Sequence, residues 1–362
     1  MADLMTAAYE YDKLQKKYKN FMVPAVKIKI GGIEVTAMKE IHIVSVETVL
    51  SLKSAGSVQV TFGECYDYKN GTFEKKLKSL AVLGKKVEVS FGYGSSLTTI
   101  FIGFLAFTEM TLDSEEGIYF RITALDVRRL MMTDNFHIKE HSIKNYSDAV
   151  KEIMKRYKKL CNLKIDATNE NLEDGLIRQN SSDYDFIVRD LIESGRTERE
   201  FFVVGETAYF RKPKSVSIPI VTLGIGKGLI RFSRQAEYEN QKIQVTGFDT
   251  ASGKTVTGTA VSKAEDDLMD ALGSPGERIV TAPFCTDSGK AEKQAKALAS
   301  LSMAKRQRAE GSCVGHPEIV PGRFIRLERV DSLMNQKYYV TRVMHTYDEE
   351  GFVTSFETEG WK

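Results

Sequence analysis

The chain has 362 residues, 42% of them hydrophobic and 28% charged, with a formal net charge of +2. That length holds two or three globular domains of ordinary composition, and the near-neutral balance gives no case for nucleic-acid binding, which needs a basic face or domain. No run of about 20 apolar residues reads as a transmembrane helix, and the opening MADLMTAAYEYDKLQKKYKN lacks the apolar core of a secretory leader.

Residues 1–20 carry only a weak apolar stripe of Leu4, Tyr9, Tyr11 and Leu14 and read as a solvated arm or polar helix, with a docking segment as the alternative. From Val26 to Asp126 the pattern is strand. Val26, Ile28 and Ile30 alternate with lysines, and Val44 and Val46, Val58, Val60 and Phe62, then Phe120, Ile122 and Ala124 repeat the period of two. The clearest case is Lys86–Phe107. There Val87, Val89, Phe91 and Tyr93 alternate, Gly92 and Gly94 bracket a turn, and Ile100, Phe101, Ile102, Phe104 and Phe107 follow. A helix is predicted near Phe73–Leu83.

The stretch 128–213 changes character. Ser147 is the expected N-cap of a helix carrying Val150, Ile153, Met154, Tyr157 and Leu160. Ser182-Asp183-Tyr184-Asp185 resembles a capping box, ahead of an apolar face of Tyr184, Ile187, Val188, Leu191 and Ile192 that Gly195 closes as a left-handed cap. A hairpin across Gly205-Glu206 completes a small α/β module. Strands return at Leu229–Phe232, Ile243–Phe248 and Lys254–Ala260, followed by an alanine-rich helix over Ser288–Ala309 and a final series Arg323–Val330, Lys337–His345 and Phe352–Thr358.

Candidate chemistry is sparse. His137, Glu140 and His141 fit the H-x-x-E-H string of inverted zinc proteases, yet they sit in a charged, irregular stretch with no third ligand in view. They are the weak metal candidate. Gly224, Gly226 and Gly228 suggest a phosphate loop but lead into a strand, so a turn is expected. Glu265, Asp266, Asp267 and Asp270 lack calcium-loop spacing and read as a solvated acidic face. His42, His316 and His345 stand alone, His345 reading as a structural or surface residue. Cys65, Cys161, Cys285 and Cys313 are too far apart for a zinc or disulfide framework and read as free thiols. No nucleophile motif occurs, so no catalytic residue and no cofactor is assigned.

The order of these motifs resembles the baseplate hub proteins of contractile phage tails and injection systems, the late control protein D family and the hub half of VgrG spike proteins. Five segments carry the resemblance: Pro24–Gly31; Gly92-Tyr93 with Ile100–Gly103; Asn180–Gly195 running into Glu200–Val204 and Ala208–Phe210; Val245–Gly258; and Gly315–Leu327 with Tyr339–His345 and Phe352–Thr358. Arg196–Arg199 reads as an insertion relative to the family, and Phe248 stands where Trp is common.

The resemblance implies an α+β, mainly β fold. Two tube-like β-barrel domains would occupy 21–127 and 214–362, the second with the helix 288–309, around an α/β middle module at 128–213 and behind an N-terminal arm at 1–20. It implies a homotrimer forming a ring with pseudo-sixfold symmetry. The ring would join a hexameric inner tube protein to a trimeric spike carried on a separate chain, among other baseplate proteins. It would have a polar lumen, no nucleic-acid recognition and no membrane segment. Such a protein is cytoplasmic during assembly and then part of the phage tail or injection particle. The alternative reading is a tail-associated peptidoglycan hydrolase or a zinc peptidase acting through His137, Glu140 and His141.

Overall fold

The computed structural model describes residues 3–39, 41–113, 115, 117–134, 143–169, 172, 181–238, 241–262 and 276–361. The chain opens with helix α1 (Tyr11–Lys17) and strands β1 (Pro24–Ile30), β2 (Ile33–Glu34), β3 (His42–Ser51), β4 (Ser57–Gly63), β5 (Tyr66–Asp67) and β6 (Thr72–Phe73). Helix α2 (Lys75–Leu80) falls inside the stretch predicted helical; β7 (Lys86–Tyr93), β8 (Ser96–Asp113) and β9 (Gly117–Leu125) follow. The middle module holds α3 (Arg128–Met131), α4 (Tyr146–Lys155), β10 (Asn162–Ile165), α5 (Asp183–Asp185) continuing as a π-helix over Phe186–Glu193, β11 (Glu200–Val204) and β12 (Thr207–Arg211). Then come β13 (Pro219–Gly224), β14 (Leu229–Ala236), β15 (Gln241–Asp249), β16 (Lys254–Ser262), β17 (Gly276–Thr281), α6 (Ser288–Arg306), β18 (Gln307–Val314), β19 (Phe324–Glu328), β20 (Lys337–Asp348) and β21 (Gly351–Trp361).

Most strands belong to one 13-stranded sheet in the order β14-β18-β21-β20-β3-β4-β9-β8-β7-β1-β2, with β19 on β20 and β13 on β19. This corrects the expected pair of tube-like β-barrels. Among the described residues the path is open, ending at β14 and β2, and neither half closes on itself. The cause is β20. Its start, Lys337–Tyr339, pairs with β19, while Arg342–Tyr347 pairs with β3 from Ser51 back to Val46. Backbone groups that could have closed one half instead join the two halves. They therefore share a core, in which Ile28, Val60 and Phe91 pack in the same apolar cluster as Ile220, Leu327, Val340 and Phe356. Each such fully buried side chain contributes about 1.5–3 kcal/mol of transfer free energy.

Two smaller cores stand apart. In the middle module the apolar face of α4 (Val150, Ile153, Met154) meets Ile187 and Leu191 and the sheet β10-β12-β11. The cap of α4 is Asn145 rather than the expected Ser147: its Oδ1 accepts from the Asp148 amide at 2.9 Å. Ser182 caps the helix as expected, Oγ accepting from the Asp185 amide at 3.0 Å, while the Asp185 carboxylate takes the Ser182 hydroxyl at 2.9 Å in place of the backbone N–H of a full capping box. Gly195 ends the segment at φ +77°. The third core lies between α6 and the sheet β16-β15-β17, where Ile243 and Val245 meet Ala291, Ala295 and Leu298. Small residues permit the approach: a Cβ on Gly258 would lie 2.1 Å from the Glu292 amide nitrogen. Helix α6 stops at Arg306, short of the predicted end, and the next residue already belongs to β18.

The N-terminal arm is not solvated. Met5, Leu14 and Tyr18 are buried in the main core. The Tyr9 amide donates to the Ile220 carbonyl at 2.7 Å. After α1, Lys19, Asn20 and Phe21 all take left-handed φ values of 47°, 57° and 61°. Such a conformation costs about 1–2 kcal/mol per residue, and packing of the Phe21 ring offsets it.

Candidate functional surface

Registers across the main sheet fix which side chains share its uncovered face. On β14 they are Arg231, Ser233 and Gln235; on β18, Arg308, Glu310 and Ser312; on β21, Ser355, Glu357 and Glu359. The row continues through Arg342, Met344 and Thr346 of β20, Glu47 and Val49 of β3, and Gln59 and Thr61 of β4. It ends with Tyr119, Arg121 and Thr123 of β9 facing Thr111, Glu109 and Phe107 of β8. Alternate residues on the same strands, such as Val46, Val60, Ile122, Val343 and Phe356, go into the core. One face on the core and one on solvent is what period-two alternation produces in an antiparallel sheet.

This face is large, hydroxyl- and amide-rich, and balanced in charge. Arg121 pairs with Glu109 at 2.9 Å, Arg342 with Glu357 at 2.6 Å and Arg231 with Glu310 at 3.3 Å; Lys53 pairs with Glu359. Exposed pairs of this kind add little stability, but interleaving both signs prevents a strong field of either sign. The surface does not concentrate anions, and its apolar side chains are few: Phe107, and Met344 directly opposite Val49.

Behind the face lies a set of buried polar groups that hold the N-terminal arm. The Tyr18 hydroxyl donates to Glu318 Oε1 at 2.5 Å, and Lys17 Nζ reaches the same oxygen at 3.0 Å. The Arg323 guanidinium donates to the carbonyls of Leu4, of Ala7 at 2.6 Å and of Ile218 at 3.2 Å; burial pulls it down to about 10. His316 is fully buried between the rings of Tyr11 and Phe21, centroids at 5.9 and 5.1 Å. Its backbone amide donates to Thr354 Oγ1, which also bonds His345 Nδ1, each at 2.9 Å. Loss of hydration pushes the His316 imidazole down to about 4 and that of His345 down to about 3.

A second buried network joins the middle module to the main sheet. Tyr339 donates to both carboxylate oxygens of Glu200 at 2.7 Å, and Arg211 Nε donates to Oε1 at 2.9 Å while its far nitrogen reaches the Gly322 carbonyl. Burial raises the Glu200 carboxyl, an effect that Arg211 opposes. Each charge is paired, as burial requires.

His137, Glu140 and His141 lie outside the described residues, as do Glu265, Asp266, Asp267 and Asp270. Among the described residues no group of three or more His, Cys, Asp or Glu could hold a metal ion, and no helix is long and apolar enough to cross a membrane. Gly224–Gly228 forms the expected turn into β14, with Gly226 and Gly228 both at φ +75°. His42 is exposed on β3, whereas His316 and His345 are core residues. All four cysteines are free and buried. Sequence reading gave docking of the arm only as its alternative. The signal for it was Tyr11, Leu14 and Tyr18, which stand at the i, i+3, i+7 spacing of one helix face.

A family model described as the Alg8 N-terminal domain matches residues 20–349. No curated protein matches the chain. Among solved structures, the fold is shared with a tail protein from Neisseria meningitidis MC58 (TM-score 0.69, 11% identity, 93% of this chain and 97% of that one). It is shared with the 43 kDa tail protein of prophage MuSo2 from Shewanella oneidensis (TM-score 0.66, 13% identity, 92% and 98%). It is also shared with the E. coli c3393 protein, a type VI secretion system component described as structurally similar to the bacteriophage T4 tail proteins gp27 and gp5 (TM-score 0.57, 10% identity, 93% and 77%). At these identities the likeness is one of fold, and the structures that share it are tail and secretion-system proteins of the kind the sequence resemblance named.

Proposed function

The chain belongs to the Alg8 N-terminal domain family, and from that premise and its fold we propose that it is the structural hub of a contractile tail or injection particle. In this reading three copies assemble around a central passage, seat a hexameric inner tube protein on one side and receive a trimeric spike chain on the other. The observation that carries the reading is the uncovered face of the main sheet, eight neighbouring strands wide from β14 to β8. A hydrated face of balanced charge suits the wall of a passage, since it offers passing cargo few apolar side chains and no field of one sign. The role is mechanical rather than catalytic. The protein is made in the cytoplasm and ends in the assembled particle.

The test is the native mass of the purified chain, alone and with the tube and spike proteins encoded beside it, together with negative-stain images. A three-copy particle with a central opening that binds both partners is the expected result. A chain that stays monomeric with both partners present refutes the hub reading.

A further inference from the structure

The longest strand leaves its sheet. β8 is 18 residues long, but β7 accompanies it only as far as the Lys86–Phe104 pair, and β4 accompanies β9 only as far as Phe120. Beyond these points Thr111–Asp113 and Gly117–Tyr119 form a bare two-stranded ribbon. Isolated ribbons of this kind are marginal in water. This one also exposes Met110 (52%) and Leu112 (61%) just before a turn carrying Asp113 and Glu115.

Midway along the same strand, at Ile102–Phe104, a cleft of about 240 Å³ opens between the middle module and β7–β8. Its apolar lining comes from Ile102, Phe104 and Val203. On its rim stand Lys158 and Lys159, both exposed and neither in an ion pair among the described residues. Lys86 also lines it, paired to Glu88 at 2.8 Å, and Glu206 is the one carboxylate in the lining. The cleft is thus basic at the rim and apolar within, the complement of a leucine followed by two carboxylates.

The chain's own ribbon cannot fill it. Asp113 lies nine residues beyond Phe104 on one strand, about 30 Å at the usual rise. We propose that the β8–β9 ribbon tip of one copy docks in the Lys158–Lys159 cleft of the next, Leu112 entering the apolar part and Asp113 and Glu115 meeting the lysines. This rests on the three-copy reading above. A tip-to-cleft contact is heterologous, and three of them close a cycle.

The experiment uses the full chain in three charge-reversed forms: Lys158→Glu with Lys159→Glu, Asp113→Lys with Glu115→Lys, and all four changes together. Native mass against protein concentration gives trimer affinity. Like charges facing across an interface weaken it severely, so each pair of reversals is expected to lower trimer affinity roughly tenfold or more, and the four together to restore it to within about threefold. A second readout avoids dependence on reversal. Asp113→Cys combined with Lys159→Cys, in a Cys161→Ser background because Cys161 lines the cleft, should give disulfide-linked trimers on oxidation. If the wild type is a trimer but either reversal leaves its affinity unchanged, or the cysteine pair fails to cross-link, the docking is overturned and the hub reading stands. A wild-type chain that is monomeric even with its partners overturns both.

Discussion

Acidification from pH 7.5 to pH 5 should destabilise this fold chiefly through two imidazoles. His316 and His345 are wholly buried, and burial holds them at about 4 and about 3 in the folded chain. Unfolded, each takes up its proton near 6.5. The folded value is the depressed one, so the stability they contribute is complete above about 6.5 and is lost as pH falls toward the folded values. At pH 5 the loss is about 2 kcal/mol per imidazole and about 4 for the pair, a large share of the ~5–15 kcal/mol typical of a folded protein. The two protons give a slope of about 2.7 kcal/mol per pH unit below 6. Urea unfolding followed by circular dichroism at half-unit steps from pH 7.5 to 5 measures that slope. His316→Leu should halve it, and His316→Leu with His345→Leu should remove most of it, whatever the absolute stability of each variant. A double variant that keeps the wild-type slope between pH 6 and 5 refutes the reasoning.

Three other substitutions probe the packing. Tyr18→Phe leaves Glu318 without its buried hydroxyl donor and should cost about 1–3 kcal/mol, seen as faster trypsin cleavage at Lys16, Lys17 and Lys19 than in wild type. Gly258→Ala puts a methyl 2.1 Å from the backbone of α6 and should cost about 1–3 kcal/mol by overpacking, lowering the melting temperature while far-UV dichroism is retained. Tyr339→Phe removes the hydroxyl donor shared by both oxygens of buried Glu200 and should destabilise by about 1–3 kcal/mol; adding Glu200→Gln should destabilise further, because it leaves the buried Arg211 guanidinium without its counter-charge. Equal unfolding midpoints for the single and double variants would contradict this account.

Local grammar in the sequence reached the element level wherever one residue type settles the backbone. Ser182 and Gly195 bound their helix because a hydroxyl cap and a left-handed cap are local events, and Val87, Val89 and Phe91 declare the core face of β7 by alternation alone. Pairing between distant strands was not legible in the same way. Nothing in Arg342–Tyr347 says that its hydrogen bonds go to β3, roughly 300 residues earlier, so nothing local opposes the two barrels that the family resemblance implies. β18 was missed because its residues continue the polar and alanine-rich composition of α6, and only its neighbours β14 and β21 make it a strand. The polar face was written in the chain as every second residue of its strands. It becomes one surface only once the order of those strands is known.

The junction of α6 with β18 has a mechanical corollary. Helix and strand meet at Arg306–Gln307 with no intervening loop. The helix is packed on the small β16-β15-β17 sheet, while the strand is hydrogen-bonded along both edges in the main one. A pull on the small sheet directed along β18 therefore reaches the main sheet through a single peptide bond, with no slack to take up. It strains the ladders to β14 and β21 in shear, so that their hydrogen bonds resist together rather than one after another. The junction is expected to couple the two sheets under load, although each has its own core.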